Sequence, residues 1–216
     1  MKVNPSLDLV EYIETKILPQ YTQFDKAHNL QHVMHVIKDS LILANSCGAD
    51  INMVYTVAAY HDMGLSGPRA VHHINSGKIL AADAKLKKWF TPSQIMVMKE
   101  AVEDHRATAS HSPRSIYGKI VAEADRELEP MTVITRTIQF GLNAYSNKTK
   151  EEQYDKFCYH LEEKYAAGGY LKLWIIGSPN EKRLNELRNI ISNRTILREL
   201  FNKIYDQEIS EEKVLK

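Results

Sequence analysis

Apolar residues recur at helical spacing along nearly the whole chain, and strand-like alternation between turn signals is rare, so the pattern predicts an all-α fold. Ser6 to Leu18 reads as a first helix interrupted at Pro19, and Tyr21 to Asn29 as a polar connector. A second helix over about 30–46 places Val33, Val36, Ile37, Leu41 and Ala44 on one face and stops at Gly48. Asp50 caps a third, whose apolar run from Met53 to Tyr60 is too rich for a surface element. That run predicts a central buried helix ending at His61-Asp62-Met63-Gly64. Beyond a loop marked by Gly64, Gly67 and Pro68, helices are predicted over about 73–88 and 92–106, the latter opened by Thr91-Pro92-Ser93-Gln94. Ser112-Pro113 opens another to about Glu129, and Pro130 turns the chain into a helix over 131–145. Two amphipathic segments follow, over about 150–166 and 180–205, separated by an irregular, glycine-flanked stretch from Gly168 to Gly177.

With 216 residues and 44% hydrophobic content, the chain is expected to form a single domain, 1–216, with its core over about 20–146 and C-terminal helices over about 147–208 packed on it. Lys and Arg number 28 against 27 Asp and Glu, a formal charge of +1, so no overall field favours a nucleic-acid polymer or a membrane surface. Cys47 and Cys158 form no CxxC pair and read as small hydrophobes in a reducing compartment. No secretory signal pattern and no run of about 18 apolar residues occurs, and a cytoplasmic protein is expected.

The chemistry concentrates where histidines meet carboxylates at helix ends. His61-Asp62 closes the most apolar helix, where an unpartnered carboxylate costs several kcal/mol and demands a cation or a hydrogen-bond network. By itself the dipeptide is also consistent with a histidine answering a helix dipole. His28, His32 and His35 lie within two helical turns of one another, so one or two of them could face His61-Asp62. Asp125 sits among Ile120, Val121, Ala122 and Ala124, where an inward charge again requires a partner. Arg69, Arg106, Arg114 and Arg126 are close in sequence to these segments, and Arg69 and Arg106, each flanking a histidine-bearing stretch, are the preferred phosphate contacts. P-loop, dinucleotide-fingerprint and GxSxG patterns do not occur.

The segments Ala27-His28-Asn29-Leu30-Gln31-His32-Val33, Ala58-Ala59-Tyr60-His61-Asp62-Met63-Gly64 and Ala122-Glu123-Ala124-Asp125-Arg126 resemble, in order and spacing, the H, HD, D signature of the HD-domain metal-dependent phosphohydrolases. The resemblance is strongest from Phe24 to Leu128. It implies a helical bundle around a central metal site, with His32, His61, Asp62 and Asp125 as ligands and His35 as a structural residue. His73 and His105 resemble additional histidines that bind a second metal or contact phosphate in some members. Two imidazoles and two carboxylates suit Mn²⁺, Fe²⁺, Mg²⁺, Co²⁺ or Ni²⁺, with Zn²⁺ admissible, one or two ions per chain. The expected activity is hydrolysis of a phosphate ester of a small molecule, nucleotides included, with Asp62 orienting or deprotonating the attacking water. The alternatives are a di-iron oxygenase on the same fold and a non-catalytic metal- or nucleotide-binding regulatory module.

Overall fold

The computed structural model describes residues 3–24, 28–109 and 111–214. It is all-α, and no strand occurs among the described residues. Contacts group the chain into two compact units, Met1–Arg126 and Glu127–Lys216. No described helix is long and apolar enough to cross a membrane.

The first unit is organised around α3 (Ile51–Tyr60), every residue of which is buried except Asn52. Its large side chains, Met53, Val54, Tyr55, Val57 and Tyr60, are each at most 4% exposed. At roughly 1.5–3 kcal/mol per large apolar side chain removed from water, this helix anchors the unit. Around it lie α2 (Leu30–Cys47), α4 (His72–Ala82), α5 (Pro92–Glu103) and α6 (Ile116–Ala124). The caps fix the phase of each helix. Asn29 accepts the His32 N–H at 3.0 Å and Asp50 accepts from Asn52 and Met53, while Thr91 and Gln94 form a reciprocal capping box. Gly48, with φ 65°, closes α2 in the left-handed conformation.

The entry and two helix ends differ from the sequence pattern. Helix α1 (Leu7–Tyr12) continues through a π-helical turn, Ile13–Ile17, into a 3-10 segment, Leu18–Gln23, with Pro19 in its first turn. Proline is tolerated there because the first-turn N–H groups have no intrahelical partner. The helical path therefore runs past Pro19 and buries Tyr21, which the polarity of its neighbours had assigned to a connector. Helix α4 stops at Ala82 because Asp83 leaves the helix, caps a 3-10 turn, Ala84–Lys88, and accepts the hydroxyls of Tyr12 and Tyr60 on one oxygen at 2.6 and 2.5 Å. Helix α6 starts at Ile116 with Ser115 as its cap, after Arg114 has closed the preceding loop onto Asp104.

The second unit comprises α7 (Pro130–Ala144), α8 (Lys150–Tyr165), α9 (Pro179–Ser192) and α10 (Arg194–Val214). Tyr154, Phe157, Leu161, Leu184, Leu187 and Phe201 form its core. The stretch from 168 to 177 has neither helix nor strand.

Two close approaches seat α4, one against the turn after α3 and one against α5. A Cβ on Gly64 would lie 2.1 Å from the His72 carbonyl oxygen and 2.6 Å from the Ser76 nitrogen, while the Gly64 N–H donates to Ser76 Oγ at 2.8 Å. A Cβ on Gly77 would meet Glu103 Cγ at 2.8 Å and the Lys99 carbonyl at 3.1 Å. Gly64→Ala is expected to lower unfolding free energy in urea by about 3 kcal/mol, because backbone atoms must move, whereas Gly168→Ala, with nothing within 4 Å, stays close to wild type. Arg114→Ala should cost about 2 kcal/mol in the same measurement by stranding the Asp104 carboxylate, which is 2% exposed.

Candidate metal centre

Five helix ends converge at one point. His32 lies in the first turn of α2, His61 caps the C-terminus of α3 with Asp62 next, and His72 opens α4. His105 follows the cap of α5, and Asp125 caps α6. Helix ends suit this task because their backbone groups lack intrahelical partners and remain available to hold side chains.

Three of the histidines use the same device. Nδ1 of His61 bonds the Ala58 carbonyl at 2.8 Å, Nδ1 of His72 bonds the Arg69 carbonyl at 2.8 Å, and Nδ1 of His105 bonds the Val102 carbonyl at 2.6 Å. In each case the acceptor is the carbonyl three residues earlier. A carbonyl only accepts, so Nδ1 carries a proton in all three rings and Nε2 is the atom turned to the cluster, a lone-pair donor whenever the ring is neutral. This is how a histidine is oriented as a metal ligand.

Those Nε2 atoms meet the two oxygens of Asp62. Oδ2 is 3.3 Å from His61 Nε2 and 3.6 Å from His32 Nε2. Oδ1 is 3.4 Å from His72 Nε2 and 3.5 Å from His105 Nε2. The imidazoles also approach in pairs, His32 to His61 at 3.3 Å and His72 to His105 at 3.1 Å between Nε2 atoms. Asp125 Oδ1 completes the first half, 3.2 Å from His32 Nε2 and 3.8 Å from His61 Nε2. The donors of His32, His61 and Asp62 lie within 4.8 Å of one another, as do those of Asp62, His72 and His105.

The spacing fits a divalent ion in each half. Metal–donor bonds of about 2.1 Å put neighbouring donors about 3.0 Å apart in an octahedron and about 3.4 Å apart in a tetrahedron. Two Nε2 lone pairs 3.1 Å apart repel unless a cation or a proton lies between them. The charge balance points the same way. Burial favours neutral His61, but the carboxylates of Asp62 and Asp125 outweigh it and push the imidazole up to about 9. Burial disfavours the Asp62 carboxylate, and His61, His105 and His72 overcome that to hold it well below the usual range. The cluster thus selects positive charge at its centre.

The structure brings together His32, His61, Asp62, Asp125 and His105 from the sequence-based set. At the start of α4 it is His72, not His73, that faces His105 and Asp62. Successive helical residues point about 100° apart, so only one of two adjacent histidines can face the cluster, and the exact start of α4 decides which. His73 Nδ1 is buried with no hydrogen-bond partner among the described residues. His35 is exposed and pairs with Asp39 at 3.3 Å on the surface. Arg69 is exposed, with its NH2 3.5 Å from His28 Nε2. Arg106 donates to the Ala70 carbonyl at 2.8 Å. Arg114 and Arg126 are committed to the scaffold, the first to Asp104 and Glu103, the second to the His105 carbonyl at 3.1 Å.

Residues 29–128 match the family model of the HD domain. Comparison with curated proteins and with solved structures gave no significant match. The matched segment contains His32, His61, Asp62, His72, His105 and Asp125. The segment that carries the candidate ligands, residues 29–128, is thus similar to the HD domain.

Proposed function

We propose that this protein is a metal-dependent phosphohydrolase that cleaves a phosphate ester of a small molecule, nucleotides included, at a two-ion centre bridged by Asp62. The observation that carries the reading is the division of the Asp62 carboxylate, whose Oδ2 faces His32 and His61 while Oδ1 faces His72 and His105. One carboxylate between two sets of imidazole nitrogens suits a pair of divalent ions. Divalent ions held there supply the Lewis acidity that activates water and offsets charge on phosphoryl oxygens.

The protein's own contribution is position. Asp62, fixed between four imidazoles, orients the water for attack. Arg69 and Arg106 are the candidate partners for the substrate phosphate. Arg69 is the more exposed of the two, and its carbonyl also holds His72, which links phosphate contact to one half of the centre. The free cysteines, Cys47 exposed and Cys158 buried, suit the reducing cytoplasm.

Elemental analysis of the purified protein, paired with phosphate release from a panel of monoesters, diesters and nucleotides, tests the proposal. Two Mn²⁺, Co²⁺ or Ni²⁺ per chain with phosphate release is the expected result; two irons with oxygen consumption and no phosphate release favours the oxygenase instead. Asp62→Ala should abolish turnover and both bound ions while far-ultraviolet circular dichroism stays that of wild type, and retained turnover removes Asp62 from the centre. His105→Ala should lower the metal-to-protein ratio from two towards one, because its Nε2 faces Oδ1 of Asp62 and His72. Arg69→Ala should raise KM for phosphate-bearing substrates by about 10- to 100-fold, the loss of one charge-assisted hydrogen bond, with metal content unchanged.

A further inference from the structure

Tyr21 donates no atom to the ligand set, yet it is fully buried and its hydroxyl makes two contacts at the point where α3 ends. The hydroxyl donates to the Ala59 carbonyl at 2.9 Å and accepts the Asp62 N–H at 3.3 Å. Resting on the two-ion reading above, we propose that Tyr21 is a positioning residue that sets the Asp62 bridge. It fixes the backbone from which the carboxylate divides its oxygens between the two halves.

The backbone geometry explains why such a residue is needed. Were α3 to continue, the Asp62 N–H would bond the Ala58 carbonyl. That carbonyl instead takes the proton of His61 Nδ1, and Asp62 leaves the helix at φ −109°, ψ 5°. The departure detaches the Asp62 N–H and leaves the Ala59 carbonyl among the last carbonyls of the helix, two polar groups in a dry interior. A single hydroxyl, donor and acceptor at once, satisfies both. Its position is itself fixed, since the Tyr21 ring packs edge-on against Phe24 with centroids 5.2 Å apart and lies 6.5 Å from the His61 ring.

A bridging carboxylate tolerates little displacement. Both oxygens must remain within bonding reach of separate ions, and a site loosened by about 0.5 Å loses its geometry. Loss of the Tyr21 hydroxyl frees the turn to relax towards helix, and relaxation rotates Asp62 away from one half. Tyr12 is the control, because its hydroxyl donates to a partner outside the cluster, the Asp83 carboxylate.

The test is Mn²⁺ titration of wild type, Tyr21→Phe and Tyr12→Phe, followed by electron paramagnetic resonance, which reports free Mn²⁺ and the exchange-coupled signal of a carboxylate-bridged pair. Wild type and Tyr12→Phe should bind two ions with the coupled signal. Tyr21→Phe should bind the pair about tenfold or more weakly, the usual loss when a group supporting a metal ligand is removed, and the coupled signal should fall ahead of total binding. Coupled signal and affinity equal to wild type in Tyr21→Phe overturn the role of Tyr21 while leaving the two-ion centre standing. Absence of Mn²⁺ binding in wild type overturns the two-ion centre and the inference with it. If metal-free Tyr21→Phe loses its helical circular dichroism while Tyr12→Phe keeps it, the hydroxyl serves the fold rather than the bridge, and the proposal fails.

Discussion

A carboxylate only 3% exposed has to be matched by positive charge, and in this protein that carboxylate belongs to Asp62. Removing such a group from water costs several kcal/mol unless partners replace the lost hydration. Four imidazole nitrogens approach it, two per oxygen, and their own Nδ1 protons are tied to backbone carbonyls in three cases out of the four. The Nε2 atoms that remain face the carboxylates, and the cluster calls for positive charge at its centre, which protons or a divalent cation could supply.

The scaffold can be understood from that requirement. Ligands at helix ends keep each imidazole next to carbonyls that the helix leaves open, and the C-termini of α3, α5 and α6 add the negative ends of their dipoles near the cluster. The N-termini of α2 and α4 oppose this, and α4 reaches the site only because Gly64 and Gly77 lack side chains. Around the cluster a further layer holds the carriers of ligands in place. Arg126 grips the His105 carbonyl, Arg114 closes the loop onto Asp104, and Tyr60 ties the end of α3 to Asp83.

The same division accounts for what the arginines do. Proximity in sequence offered four of them as phosphate partners, with Arg69 and Arg106 preferred. Burial and geometry separate them. Two hold the scaffold, and Arg106 has one nitrogen on the Ala70 carbonyl. Arg69 extends beside His28, whose ring stands 5.8 Å from that of His32, at the edge of the first half of the cluster.

The all-α class and the buried third helix could be read from order along the chain, because helical periodicity is a local property. His32, His61, Asp62, Asp125 and His105 were singled out by resemblance to a family signature, and the folded chain gathers them at one point. The choice of His72 over His73 was not, since it turns on where α4 begins, and α4 begins where Gly64 lets it pack. Tyr21 was hidden by its polar neighbours and by Pro19, and a side chain is recognised as buried only when the elements covering it are in place. The sequence by itself determined the helices and the histidines and carboxylates at their ends. Tertiary structure decided how they divide about Asp62, because the direction of a lone pair depends on the backbone carbonyl that holds the opposite side of its ring.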